Sequence, residues 1–130
     1  MALMSFREPN QVRWTGARPA HRGTQILKWS EKVNGSTTIH TVTAGKTLYL
    51  TSLTAFVQST AAATAGSVWV RDTLGALVSR LVTAYFLAAG SGSWALPYPF
   101  PLEIPAGYDI IAYSSAATVY CGACIAGWEE

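Results

Sequence analysis

From Thr24 onward, apolar residues come in short runs with a period of two, not in the three-to-four spacing of a helix. The runs are rich in Val, Ile, Thr and aromatics and are separated by Gly, Pro, Asn and Ser. This pattern predicts strands over 25–32, 37–43, 46–58, 67–71, 77–87, 94–96, 108–113 and 118–128. Asn34-Gly35 is a strong hairpin signal, and Ala44-Gly45 marks a second turn. An Ala/Thr/Gly loop is expected over 59–66, with further turns over 72–75 and 90–93. The stretch PYPFPLEIPAG reads as a proline-rich edge. Leu77, Leu81 and Tyr85 also fit helical spacing. The run holding them is assigned to strand because β-branched and aromatic residues dominate and no cap chemistry brackets it.

About eight strands in roughly 105 residues, with a turn about every ten, predict a sandwich or barrel. An internal echo narrows the choice. VTAGKTL (42–48) and IPAGYDI (104–110) each place an Ala-Gly turn between an apolar residue and a strand. Two such turns half a domain apart suit two Greek keys wrapped into a jelly roll, and two copies are too few for a solenoid. The expected fold is therefore all-β: a jelly-roll-like antiparallel β-sandwich of about eight strands over residues 24–130, preceded by an extended N-terminal arm over residues 1–23.

The strands are apolar on both sides. Strict alternation over 47–57 puts Leu48, Leu50, Ser52, Thr54 and Phe56 on one face, and Tyr49, Thr51, Leu53, Ala55 and Val57 on the other. Neither face carries a charge after Lys46. The last strand has Val119, Cys121, Ala123 and Ile125 on one face and Tyr120, Cys124, Ala126 and Trp128 on the other. A strand with one face in water should alternate apolar with strongly polar residues. The second face is therefore read as a subunit interface, with Tyr49, Leu53, Val57, Tyr120 and Trp128 as its candidate residues and a threefold axis as the simplest symmetry.

Composition agrees. Of 130 residues, 50% are hydrophobic and 12% are charged, about half the charge of an ordinary soluble domain. The apolar and aromatic content excludes a disordered chain. The net charge of +2 is too small for a dedicated nucleic-acid binder. The longest uncharged stretch, Leu81 to Leu102, contains three prolines and cannot be a membrane helix. Met1 to Arg7 holds no apolar run of signal-peptide length, so the chain is expected to be made and assembled inside a cell.

The basic excess is all N-terminal: residues 1–23 carry four arginines against Glu8, and the remainder carries a net −1. With Pro9, Pro19, Gly16 and Gly23 and no clean periodicity, this segment reads as an arm. Phe6, Val12 and Trp14 give it apolar anchors, which suits an arm that orders against a partner. Its candidate gripping residues are Phe6, Arg7, Arg13, Trp14, Arg18 and Arg22.

Catalytic chemistry is thin. Cys121 and Cys124 form a CxxC but have no second pair or His pair to complete four zinc ligands. Three apart in a strand, they point to opposite faces and are read as buried, inert thiols. Only two histidines exist, His21 and His40, too few for a cupin-type metal site. Apart from Glu129-Glu130, no two acids lie closer than six residues; the candidate for a spatial glycosidase-like pair is Glu103 with Asp109, both expected to flank a turn in solvent. No G-x-S-x-G elbow or phosphate-binding loop occurs. The expectation is a protein that is not an enzyme and uses no cofactor or metal.

The segments TVTAGKTLYLTSLTAF and PLEIPAGYDIIAYSSAATVYCGACIAGWEE resemble the jelly-roll decoration, fibre and spike-type proteins of tailed bacteriophages. In these a T-V-x-A-G-K-x-L-Y-L-T-S strand opens the domain, a P-L-x-I-P-A-G-Y-x-I turn precedes the last strands, and an acidic G-[WY]-E-E end closes the chain. The resemblance covers roughly 37–130 and leaves the arm out. It implies a virion structural protein, often trimeric, on the capsid or the tail apparatus. A compact domain with a gripping arm favours capsid decoration, because 130 residues leave no room for the shaft of a receptor-binding tip. The expected partner is the major capsid protein, bound by a homotrimer on the capsid surface of a virion assembled in the host cytoplasm. Binding only the assembled lattice would stabilise it by mass action. The alternative is a tail, neck or spike adhesion protein binding host glycans, with Trp69, Trp94 and Tyr98 as stacking platforms.

Overall fold

A computed structural model describes residues 23–130. They form eight strands: β1 (Thr24–Val33), β2 (Gly35–Thr41), β3 (Leu48–Ser59), β4 (Thr64–Arg71), β5 (Leu77–Phe86), β6 (Gly90–Ile104), β7 (Asp109–Ser114) and β8 (Val119–Glu129). No helix occurs among the described residues. The strands make two four-stranded sheets, in the orders β1-β8-β3-β6 and β2-β7-β4-β5, and every pairing is antiparallel. First pairs with last, second with seventh, third with sixth and fourth with fifth. That is one long hairpin of four strand pairs, wrapped until its two halves stack: the jelly-roll sandwich that the turn spacing predicted.

The core lies between the sheets. Leu48, Leu50, Leu53, Val57 and Ile125 of the first sheet face Val68, Val70, Val82 and Ile110 of the second, and all are buried. Burying a side chain of this size stabilises the fold by about 1.5–3 kcal/mol, so inward parity is what selects the register.

Three local readings are corrected. Strict alternation fails in β3, where the register against both β6 and β8 shifts between Leu50 and Ser52. This β-bulge adds a residue and flips the parity. Leu48 and Leu50 face inward before it, and Leu53, Ala55, Val57 and Ser59 face inward after it. The Thr51 hydroxyl donates to the Ala126 carbonyl at 3.0 Å, which pins the bulge. Leu53 and Val57 are thus core residues at 0% exposure and cannot belong to a subunit interface.

The second correction concerns Asn34-Gly35. Both residues have positive φ, 59° and 107°, as a tight hairpin turn requires. Yet β1 pairs with β8 and β2 with β7, so this turn is a corner carrying the chain from one sheet to the other. The third concerns residues 90–104, read as a turn, a short strand and a proline-rich edge; they are one continuous strand. Prolines are tolerated there because β6 is an edge strand, hydrogen-bonded only to β3. Opposite Thr51 its ladder breaks between Leu102 and Pro97, and Phe100 projects from that break at 88% exposure.

The two Ala-Gly turns meet in space. Each closes on itself, Lys46 N–H to the Thr43 carbonyl at 3.0 Å and Tyr108 N–H to the Pro105 carbonyl at 3.3 Å. Gly45 and Gly107 sit at φ 76° and 80°, as the third position of a type II turn demands. Val42 joins them, its N–H donating to Tyr108 and its carbonyl accepting from Gly107, both at 2.9 Å.

Candidate interaction face

The outward face of the first sheet is built from alternate residues of β1, β8 and β3. On β8 these are Tyr120, Gly122, Cys124, Ala126 and Trp128, with small residues in the middle. On β1 they are Gln25, Leu27, Trp29, Glu31 and Val33, since residues paired across a sheet share a face. Leu27 is 73% exposed and Trp29 52%, with Val33 and Phe56 of β3 also exposed. A Cβ added to Gly122 would come within 2.8 Å of the Trp29 ring, so the glycine leaves room for the indole to lie over β8. Trp29 donates through Nε1 to Glu31 at 3.1 Å, and the Tyr120 hydroxyl donates to the same carboxylate oxygen. Phe56 meets Tyr120 edge-on at 6.1 Å. At the other end Tyr49 stacks on Trp128 at 5.2 Å. Three of the five expected interface residues, Tyr49, Tyr120 and Trp128, therefore lie on this face.

The arrangement of β1 is the opposite of what its own pattern suggests. Leu27, Trp29 and Val33 alternate with Lys28, Ser30 and Lys32. Binary patterning would turn the apolar set to the core and the lysines to water. Instead Ile26 alone enters the core, beside Gly127, and Lys28 and Lys32 share the core-side parity of Ile125 and Cys121. The lysines remain exposed because β1 is a sheet edge. Leu27, Trp29, Val33 and Phe56 were missing from the interface inferred from sequence. Their signal is that apolar run, which becomes informative only once the pairing to β8 is known.

The outward face of the second sheet is more polar. Trp69 of β4 stacks on Tyr113 of β7 at 4.7 Å, and the Arg80 guanidinium of β5 lies 5.3 Å from its ring centroid. Arg71 pairs with Asp109 at 3.1 Å, and the Thr41 hydroxyl donates to Asp109 at 2.6 Å. The residues suggested for glycan stacking do not converge. Trp69 is flanked by these neighbours, while Trp94 and Tyr98 pack against the core from the first sheet. Glu103 and Asp109 sit on different sheets, with Glu103 opposite Tyr49 and Asp109 opposite Arg71, so they do not make a glycosidase-like pair.

Cys121 is buried, and desolvation raises its thiol pKa. Cys124 is only half-buried, on the outward face, which corrects the expectation that both thiols are interior. Inside the sandwich, His40 Nε2 lies 2.6 Å from the Glu129 carboxylate, which also accepts the Thr43 N–H at 3.0 Å. Burial pushes the Glu129 pKa up, but the hydrogen bonds from Thr43 and His40 outweigh it and hold it below the ordinary carboxylate value. The polar contacts of this carboxylate are all with the fold's own groups, which makes it a structural tie. Among the described residues no group of three His, Cys, Asp or Glu is placed to hold a metal ion, and no helix is long and apolar enough to cross a membrane. The arm residues Phe6, Arg7, Arg13, Trp14, Arg18 and Arg22 lie outside the described residues.

Fold and face together define a class: a jelly-roll sandwich domain with an apolar, aromatic outer sheet face. No protein-family model matches the chain, and no curated protein matches it.

Proposed function

We propose that this protein is a non-enzymatic virion structural protein, a capsid decoration (cement) protein of a tailed bacteriophage. It binds the assembled head as a homotrimer and stabilises it, with its N-terminal arm gripping neighbouring subunits of the major capsid protein. The observation that supports this reading is the reversed patterning of β1. Leu27, Trp29 and Val33 face outward beside Phe56 and Tyr120, and further copies of the chain cover them. Contiguous exposed apolar surface on a small domain marks an interaction site.

The edges argue for contact through faces. Lys28 and Lys32 guard β1, Pro97, Pro99 and Pro101 guard β6, and register shifts interrupt β2 and β5; all are devices that block edge-to-edge pairing. Light scattering of the purified protein should therefore report a trimer. Leu27→Lys with Trp29→Lys should dissociate it without unfolding the domain. A wild-type chain that stays monomeric at micromolar concentration overturns the trimer. Deleting residues 1–23 should abolish co-sedimentation with phage heads and leave the trimer intact, and undiminished head binding by the truncated chain refutes the gripping arm.

A further inference from the structure

The side of the sandwich opposite the β1–β2 corner is open. There the edge strands β5 and β6 leave a cleft of about 210 Å³. Val70 and Ile104 form its buried floor, and Val78, Leu81, Leu102 and Tyr108 line its walls. Exposed apolar side chains gather around it. Leu77 and Val78 lie on the β5 edge, Leu74 in the loop before it, and Phe100 on β6. The loop reaches this end of the sandwich because Thr73 packs against Gly107, in the turn between Pro105 and Tyr108.

We propose that this open side joins two copies of the chain reciprocally, the phenyl ring of Phe100 in each copy filling the cleft of the other. The contact rests neither on the outer face of the first sheet nor on the capsid.

Phe100 has the form of a plug. Leu50 pairs with Leu102 and Ser52 with Pro97, so residues 98–101 all stand opposite Thr51. The excess chain is pushed out of the ladder and carries the ring at 88% exposure, outside its own cleft. Pro99 and Pro101 flank it and fix their backbone φ, so the ring is presented already ordered and docking costs little chain entropy. The cleft has the size of a socket for it, since an apolar cavity of about 150 Å³ accepts a benzene ring. Plug and socket also lie side by side, with Phe100 two residues from Leu102 on the same strand. When one ring enters the neighbouring cleft, the second cleft is brought to the second ring, which is the self-complementary contact of a twofold pair. The prolines of β6 withhold N–H donors, so the copies meet through side chains and not by strand pairing. One ring on each side is a small interface; it forms at high local concentration and leaves the oligomer expected at micromolar protein unchanged.

The test uses the full-length chain with p-benzoylphenylalanine at position 100, mixed from isotopically heavy and light batches and irradiated at high concentration. Adducts to residues 78–81 or 102–105 should join heavy to light polypeptides. Val78→Asp, at the half-exposed rim, should cut their yield several-fold. Ser79→Trp should do the same, because Ser79 lies opposite Val70 on the cleft side and an indole there fills the socket. Leu87→Asp, an exposed change outside the cleft, should not alter the yield. Adducts only within one polypeptide, adducts elsewhere, or a yield indifferent to both cleft substitutions would overturn the assignment. The adducts should persist in the chain carrying Leu27→Lys and Trp29→Lys, so loss of the trimer leaves this result standing.

Discussion

Glu129 shows how much a single carboxylate can organise. It is 2% exposed, bound by His40 and Thr43, and followed by Glu130, whose backbone exchanges hydrogen bonds with Thr47 at 3.0 and 3.1 Å. The C-terminal strand is thereby tied to the end of β2 and the start of β3. Because the folded pKa of Glu129 is lowered, its contribution is present above the unfolded-state value, about 4.3. It is lost as pH falls through the folded value. Denaturant unfolding between pH 3 and 7 should show stability falling at the acid end, and Glu129→Gln should flatten that limb. An unchanged acid limb would show that the carboxylate is not the group responsible. Parity in β3 is equally a residue-scale matter. Leu53→Ala should cost about 2–5 kcal/mol, while Thr54→Ala, one position along and outward, should cost under about 0.5 kcal/mol. Equal costs would contradict the bulge.

At the scale of elements, most of the strands are legible in the chain because their signals are local. Period-two apolarity and Gly, Asn and Pro punctuation need only neighbouring residues, and all but one of the strand runs lie close to where they predict; β6 is longer than its three-residue run because the prolines were read as breaking it. The Ala-Gly echo is also local, and it marks two turns that touch. Gly107→Ala should be the harsher of the two turn substitutions. Both glycines have positive φ, but a Cβ on Gly107 would meet Thr73 Cγ2 at 2.8 Å, whereas Gly45 has open space around it. The left-handed conformation alone costs about 1–2 kcal/mol, so thermal unfolding should rank wild type above Gly45→Ala, and Gly45→Ala above Gly107→Ala. What was not legible is whatever a distant partner decides. The β3 bulge depends on β6 and β8, the corner at Asn34 on two different sheets, and the prolines of β6 on its lacking a second neighbour.

For the whole molecule, the decisive property is the distribution of apolar surface. The outward face of the first sheet collects aromatics at both ends and small residues between them, whereas on the second sheet Trp69 stacks on Tyr113 beside Arg80, Arg71 pairs with Asp109, and Tyr85 stands exposed by itself. Four guarded edges and an apolar outer face are the features on which the proposed association through a face rests, and the Leu27 and Trp29 substitutions address it by light scattering. Of the five residues expected at a subunit interface, Tyr49, Tyr120 and Trp128 lie on the outward face, while Leu53 and Val57 lie in the core.

The amino-acid sequence by itself determined most of the strands and turns, the low charge and the gathering of the basic excess in residues 1–23, because these follow from the chemistry of adjacent residues. Only the tertiary structure decided which side of each strand looks inward. One inserted residue reverses a face, and a strand at a sheet edge can turn its lysines toward the core side and still keep them in water. Leu27 and Trp29 became surface residues for that reason, and with them the face on which the proposed assembly rests.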